Sequence, residues 1–195
     1  MGAFLKGGRI TLRSISPEDK KLFLIWHNDP EMRNDIGGVF PFTEHDYIAI
    51  CNASGIEMPL NVWFAVCLDD SLIGIAGLHN IKDIQRNAEI ALLIGDSKYR
   101  NKGYGTCVLE LLVGYAFHTL NLHRVYEIIF SENIPSIHLA EKCSFVREGI
   151  LHEANYWNGV YRDVVLYARL NPSHSSCVYT ETNEKQNARQ MPKRK

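Results

Sequence analysis

A chain of 195 residues, 46% of them hydrophobic, is long enough to bury one core and gives a prior for a single domain. Its 21 Lys and Arg nearly balance 22 Asp and Glu, so the net charge of -1 supplies no global field to gather nucleic acid or an anionic membrane. No run approaches the ~18 apolar residues that span a bilayer, and the terminus MGAFLKGGRITLRS carries no long apolar core, so a soluble, cytoplasmic protein is expected.

In chain order, Arg9 to Ile15 alternates enough to predict a first strand. Ser16-Pro17-Glu18-Asp19 supplies an N-cap with proline at the first helical position, and a helix is predicted to about Asn28. Pro30, Gly37, Gly38 and Pro41 read as breakers, after which Thr43-Glu44-His45-Asp46 starts a second helix to about Ala53; the two helices are expected to form a rim. Asn61 to Leu68 and Ser71 to His79 read as a hairpin around Asp69-Asp70, and Ile84 to Gly95 as a further strand. Val108, Leu111, Leu112, Tyr115, Ala116 and Thr119 then repeat with helical spacing. Arg124 to Phe130 is β-branched and aromatic, and a helical crossover makes it parallel to the preceding strand. A short helix from Pro135 to about Lys142 precedes strands at Phe145 to Glu153 and Tyr161 to Leu170, which gives an α/β class with a mixed sheet. Residues 1–170 are read as the domain and 171–195 as a disordered polar and basic tail, whose cations have the alternative role of touching a coenzyme phosphate or an acidic partner.

The most informative segment is Arg100-Asn101-Lys102-Gly103-Tyr104-Gly105-Thr106, which lies between the apolar run Ala88 to Ile94 and the amphipathic helix. Glycines there allow positive φ and close approach of the backbone to a ligand, and the amides that open the helix present partial positive charge to an anion such as a pyrophosphate. A dinucleotide fingerprint needs a third glycine where Val108 stands, and a P-loop needs Gly-Lys-Ser/Thr where the order is Lys102 then Gly103. Five scattered cysteines without a C-x-x-C pair and eight histidines without H-x-x-x-H spacing point away from a disulfide framework and from a metal.

Arg-x-x-Gly-x-Gly between a strand and a helix resembles the acetyl-coenzyme A loop of the GNAT family of N-acetyltransferases, and the blocks IGDSKYRNKGYGT, HRVYEIIFSENIPSIHLAEKCSF and EGILHEANYWNGVYRDVVLYARL extend the likeness to Leu170. The ribosomal-protein N-terminal branch is the most similar, with polyamine and amino-sugar enzymes as near relatives. The resemblance implies a single-domain GNAT fold. In that fold a mostly antiparallel sheet of six to seven strands is flanked by about four helices, with a parallel pair at the acetyl-CoA loop. It implies acetyl-CoA as cosubstrate without a metal and a primary amine as acceptor, with no nucleic-acid or membrane partner and a homodimer left open. The favoured acceptor is a protein or peptide N-terminus; a polyamine such as spermidine, a nucleotide-linked amino sugar and a non-catalytic coenzyme-binding role are the alternatives. The chain departs from the family pattern at Asn101, where glycine is usual, at Ala140, where many members carry the tyrosine that protonates the leaving thiolate, and at Asn155, where the ribosomal branch has glutamate.

Acetyl transfer to an amine needs a base, a polarised carbonyl and a proton for sulfur. Glu89, the only charge in its apolar run, and Glu153, beside His152, are the candidate bases. The resemblance implies that amides near Leu93 and Ile94 meet the carbonyl oxygen, that Asn133 binds the coenzyme arm and that Ser136 protonates the sulfur; Asn133 with Ser136 also reads as a plain helix cap. Arg100 and Lys102 are expected to flank the phosphates, with Asn101, Gly103, Tyr104, Gly105 and Thr106 completing the cradle. Trp26, Phe40, Phe42, Trp63, Tyr156 and Trp157 are candidates for an acceptor pocket, although most such aromatics serve the core.

Overall fold

The computed structural model describes residues 2–52 and 59–173. Strands β1 (Leu5–Gly7) and β2 (Ile10–Arg13) lead into helices α1 (Lys20–Asn28), α2 (Pro30–Ile36) and α3 (Glu44–Asn52). Strands β3 (Val62–Leu68), β4 (Ser71–Lys82) and β5 (Asn87–Ile94) precede α4 (Tyr104–Gly114), which continues as a π turn over Tyr115–Thr119. Then come β6 (Arg124–Phe130), α5 (Ile134–Lys142), β7 (Val146–Trp157) and β8 (Val160–Leu170). One sheet in the order β1-β2-β3-β4-β5-β6-β8-β7 contains them all, and among the described residues only the β5/β6 pair is parallel. No helix among the described residues is long and apolar enough to cross a membrane.

The sheet is covered on both faces, and strand alternation decides which residue faces which layer. Leu12, Val66, Leu78, Ala88, Ile90 and Val125 point to α4, where Val108, Leu109 and Leu112 are sealed from solvent. On the opposite face Ile75, Trp63 and Leu93 meet Phe23 and Trp26 of α1, Met32 of α2 and Tyr47 of α3.

The described residues form eight strands where six or seven were expected, because Leu5–Gly7 folds back on β2 as a short hairpin with Gly8 at φ +60. Breakers read between the first helices are instead the boundaries of α2. Pro30 occupies its first turn, the Asp29 carboxylate accepts from the Glu31 and Met32 amides (2.9 and 3.1 Å), and Gly37 closes it at φ +69. Strand β5 begins at Asn87, later than the predicted Ile84, which is exposed in the turn. The predicted helix end at Ala53 and the tail beyond Ser173 lie outside the described residues.

Strand β5 pairs with β4 as far as Ile94, but with β6 only over Asn87–Glu89 against Arg124–Tyr126. The far edge of β6 stays paired with β8 through Phe130. Past Glu89 and Tyr126 the two parallel strands therefore part, and a gap opens in the middle of the sheet.

A buried ion pair anchors the α1–α3 layer beside that gap. The Arg13 guanidinium grips both oxygens of Asp19 at 2.7 Å, the Ser16 amide donates to the same carboxylate at 2.8 Å, and the Tyr47 hydroxyl donates to the Ser16 carbonyl. Burial opposes ionisation of Asp19, yet the Arg13 fork and the Ser16 amide outweigh it and hold the carboxyl below its usual range. Asp19→Asn should cost about 2–4 kcal/mol in urea unfolding. Because the folded carboxyl is depressed, this stabilisation is complete above the unfolded carboxylate range near pH ~3.9 and is lost as the pH falls through the lower folded value. The acid limb of the stability curve should shrink in the variant.

Candidate active site

The loop between β5 and α4 is shaped by its own side chains. Asp96 accepts from the Lys98 amide (3.0 Å), and Arg100 donates Nε to the Ile94 carbonyl (3.1 Å) and Nη2 to the Gly95 carbonyl (3.3 Å), with a further contact to Met32 Sδ. The guanidinium expected to flank a phosphate thus ties the end of β5 to the start of the cradle. Asn101 (φ +58) and Gly103 (φ +82) both adopt the left-handed conformation, which asparagine tolerates better than most residues. That tolerance accounts for Asn101 at a position where glycine is usual in the family.

Helix α4 makes its first hydrogen bond from the Cys107 amide to the Gly103 carbonyl (3.3 Å), so the amides of Tyr104, Gly105 and Thr106 have no carbonyl partner among the described residues. A Cβ on Gly105 would stand 3.2 Å from Leu139 and 3.7 Å from Leu92, so glycine lets α4 close onto α5 and β5. Orphan amides behind a left-handed glycine fit an anionic diphosphate.

These residues open onto a groove of about 610 Å³. Leu92, Leu93 and Ile94 line it from β5, Arg100, Asn101, Gly103, Gly105 and Thr106 from the loop, and Asn133 and Ser136 from α5. Asp35 of α2 and Glu132 add carboxylates that the sequence reading did not single out. Lys102 is exposed outside the groove lining, and Tyr104 packs against the core edge-on to Tyr99. The Asn133 side chain accepts from the Ser136 amide (3.2 Å) and so caps α5, which fixes the half-buried Ser136 at the groove. Ala140, one helical turn further on, is fully buried.

Ladder geometry decides which strand amides face the gap. Gly95 donates to Ile73 (2.9 Å), so in the register Ile75 to Leu93 the Leu93 amide also points to β4, and those of Ile90, Leu92 and Ile94 point into the gap. Of the expected pair, Ile94 is the gap-facing donor.

Glu89 is the last β5 residue paired with β6 and lies on the α1–α3 face, about 17 Å along the strand from Ile94 at ~3.3 Å per residue. Its carboxylate accepts from Asn80 Nδ2 (3.3 Å) and lies 3.6 Å from His79 Nε2, and the His79 ring stacks on Trp63 with centroids 5.7 Å apart. Asn80 is left-handed (φ +52), within a register shift between His79 and Lys82. The bulge turns two consecutive residues of β4 toward one carboxylate, and this supporting set was missing from the sequence reading because it arises only across strands. Glu153 lies elsewhere: it is exposed on the edge strand β7, left-handed in a bulge, with its amide bonded to Asp163 (2.8 Å). Of the aromatics, Trp26 is buried against Gly95, Phe42 stacks on His27 and Phe40 is exposed. Trp157 donates to Asn34 (3.0 Å) and, with Tyr156, lines a separate cavity of about 440 Å³. Among the described residues no group of three or more His, Cys, Asp or Glu is placed to hold a metal.

The profile of the acetyltransferase (GNAT) domain matches residues 9–146. An N-acetyltransferase of Bacillus licheniformis named p20, itself uncharacterized, is 30% identical over 83% of this chain and 93% of its own length. The ribosomal-protein-serine acetyltransferase of Escherichia coli is 29% identical over 55% of this chain and 59% of that protein. The crystal structure of spermidine N-acetyltransferase from Vibrio cholerae in complex with CoA and spermine superposes with a TM-score of 0.75 at 28% identity, covering 85% of this chain and 97% of that one. With the parted parallel pair, the orphan amides and these likenesses together, the chain belongs to the GNAT family and is an N-acetyltransferase.

Proposed function

We propose that this cytoplasmic enzyme acetylates the N-terminal α-amine of a protein or peptide. The reading is carried by one arrangement: a groove that joins the orphan amides of Tyr104, Gly105 and Thr106 to Ser136 at the N-terminus of α5, with Glu89 at the closed end of the strand gap. When bound, acetyl-CoA supplies an activated thioester. The α4 amides hold its diphosphate, and the Ile94 and Leu92 amides offer preorganised donors to the thioester oxygen. Glu89, held by Asn80 and His79, receives through water in the gap the proton released by the attacking amine. Ser136 directs its hydroxyl at the departing sulfur.

An α-amine titrates near ~8 and is neutral in roughly a tenth of molecules at pH 7, against about one in 2,500 for an amine near ~10.4. A single carboxylate at the gap suffices for the first and is a weak device for the second. The polyamine reading has its own support in Asp35 and Glu132, two carboxylates on the groove that suit a second ammonium, and in the likeness to a spermidine enzyme.

Thiol release from acetyl-CoA, measured across N-terminal peptides, spermidine and an amino sugar, separates the readings. Peptide amines are expected to give the highest kcat/KM; a spermidine value tenfold above every peptide would transfer the assignment to polyamines. Ser136→Ala should lower kcat about tenfold with KM for acetyl-CoA nearly unchanged, since the hydroxyl acts on the departing group.

A further inference from the structure

Ser136 leaves a chemical gap in this reading: a serine hydroxyl is too weak an acid to be the net source of a proton, and the tyrosine common in the family is Ala140 here, with no titratable group. The facing strand carries one. Glu127 is the first residue of β6 beyond the segment paired with β5, so it stands where the gap begins. By alternation it shares its face with Val125 and Ile129, which pack in the same core as Ala140 and Cys143 of the α5 region. It is the only ionisable side chain of β6 on that face.

Glu127 has no hydrogen-bond or ion-pair partner among the described residues. The charged and titratable groups around it are engaged elsewhere: Glu110 of α4 with Arg169 of β8 (2.9 Å), Tyr167 of β8 with Glu141 of α5 (2.8 Å), and Cys143 against the Thr106 carbonyl (4.0 Å). The β5 neighbours on this face, Ile90 and Leu92, are apolar. Part of the residue still reaches solvent. A half-buried carboxyl with no side-chain partner, standing where the strand gap begins, is a candidate for work on a ligand.

We propose that Glu127 is the acid that protonates the departing coenzyme sulfur, the role that a tyrosine at the position of Ala140 fills in many family members. The inference rests on the acetyl-transfer reading. The amine nitrogen bonds to the acetyl carbon, the carbon–sulfur bond breaks, one amine proton passes through water to Glu89, and the Glu127 proton goes to sulfur. Glu127, which is partly exposed, then regains a proton from water, and Glu89 returns its own to solvent. Burial pushes the Glu127 carboxyl up to about 8, so it still carries its proton at neutral pH and is well matched to a thiol near ~8.5.

Glu127→Gln keeps the shape of the protonated acid and removes its proton. It should lower kcat about a hundredfold while KM for acetyl-CoA changes less than about twofold. Wild-type kcat should fall as the pH rises through about 8, a limb absent from Glu127→Gln and retained by Ser136→Ala. Infrared difference spectra supply a readout free of turnover: coenzyme A should shift a protonated-carboxyl band in the wild type, desulfo-coenzyme A should leave it in place, and Glu127→Gln should lack the band. A band indifferent to the sulfur, or a Glu127→Gln enzyme with wild-type kcat and alkaline limb, overturns the proposal. A sulfur-dependent band in a protein that acetylates no amine supports the role of Glu127 and removes the acceptor assignment instead.

Discussion

Everything in this structure turns on two parallel strands that pair for three residues and then separate. Backbone N–H and C=O groups withdrawn from water are nearly always paired, so a gap in the middle of a sheet persists only if its edges meet something else. Here the outer edges of β5 and β6 remain laddered to β4 and β8, which keeps the gap from closing or collapsing. Its inner edge presents the amides of Ile90, Leu92 and Ile94, and at its open end the first turn of α4 adds three more. An extended ligand with an anionic head and an amide-bearing arm satisfies both sets. Acetyl-CoA is such a molecule.

The two faces of the sheet then divide the chemistry. Glu89, with His79, Asn80 and Trp63, lies on the α1–α3 face, and Glu127, Ala140 and Cys143 on the α4–α5 face. On the proposed roles, proton uptake from the amine and proton delivery to sulfur are separated by the thickness of a strand. The Glu89 carboxylate is held by polar partners, whereas burial raises the pKa of the Glu127 carboxyl. One sheet sets two environments for the same functional group.

Local chemistry made much of this legible. The glycine loop, the amphipathic face of α4 and the Asn133 cap are each written within a few consecutive residues, and the parallel β5/β6 pair follows from a helical crossover. What escaped the sequence reading depends on partners distant in the chain. Helix α2 looked like broken loop because Pro30 and Gly37 mark ends as well as interruptions, and only the Asp29 cap separates the two cases. Arg100 was expected at the phosphates, and its bonds to the Ile94 and Gly95 carbonyls, which shape the loop, could not be read from the sequence. Glu153 was read as facing the chemistry, but a bulge in β7 leaves it exposed at the sheet edge. Glu127 was not singled out because the run RVYEIIF gives no hint of which strand its one acidic residue will leave unpaired.

The central claim is that the amides opening α4 grip the coenzyme diphosphate while the parted strands receive its arm. Amide chemical-shift mapping of the full-length protein during a coenzyme A titration tests it most directly. The account predicts that the Tyr104, Gly105 and Thr106 resonances move furthest, with Ile94 and Leu92 following along β5. Saturable binding that leaves the α4 amides unmoved would contradict it.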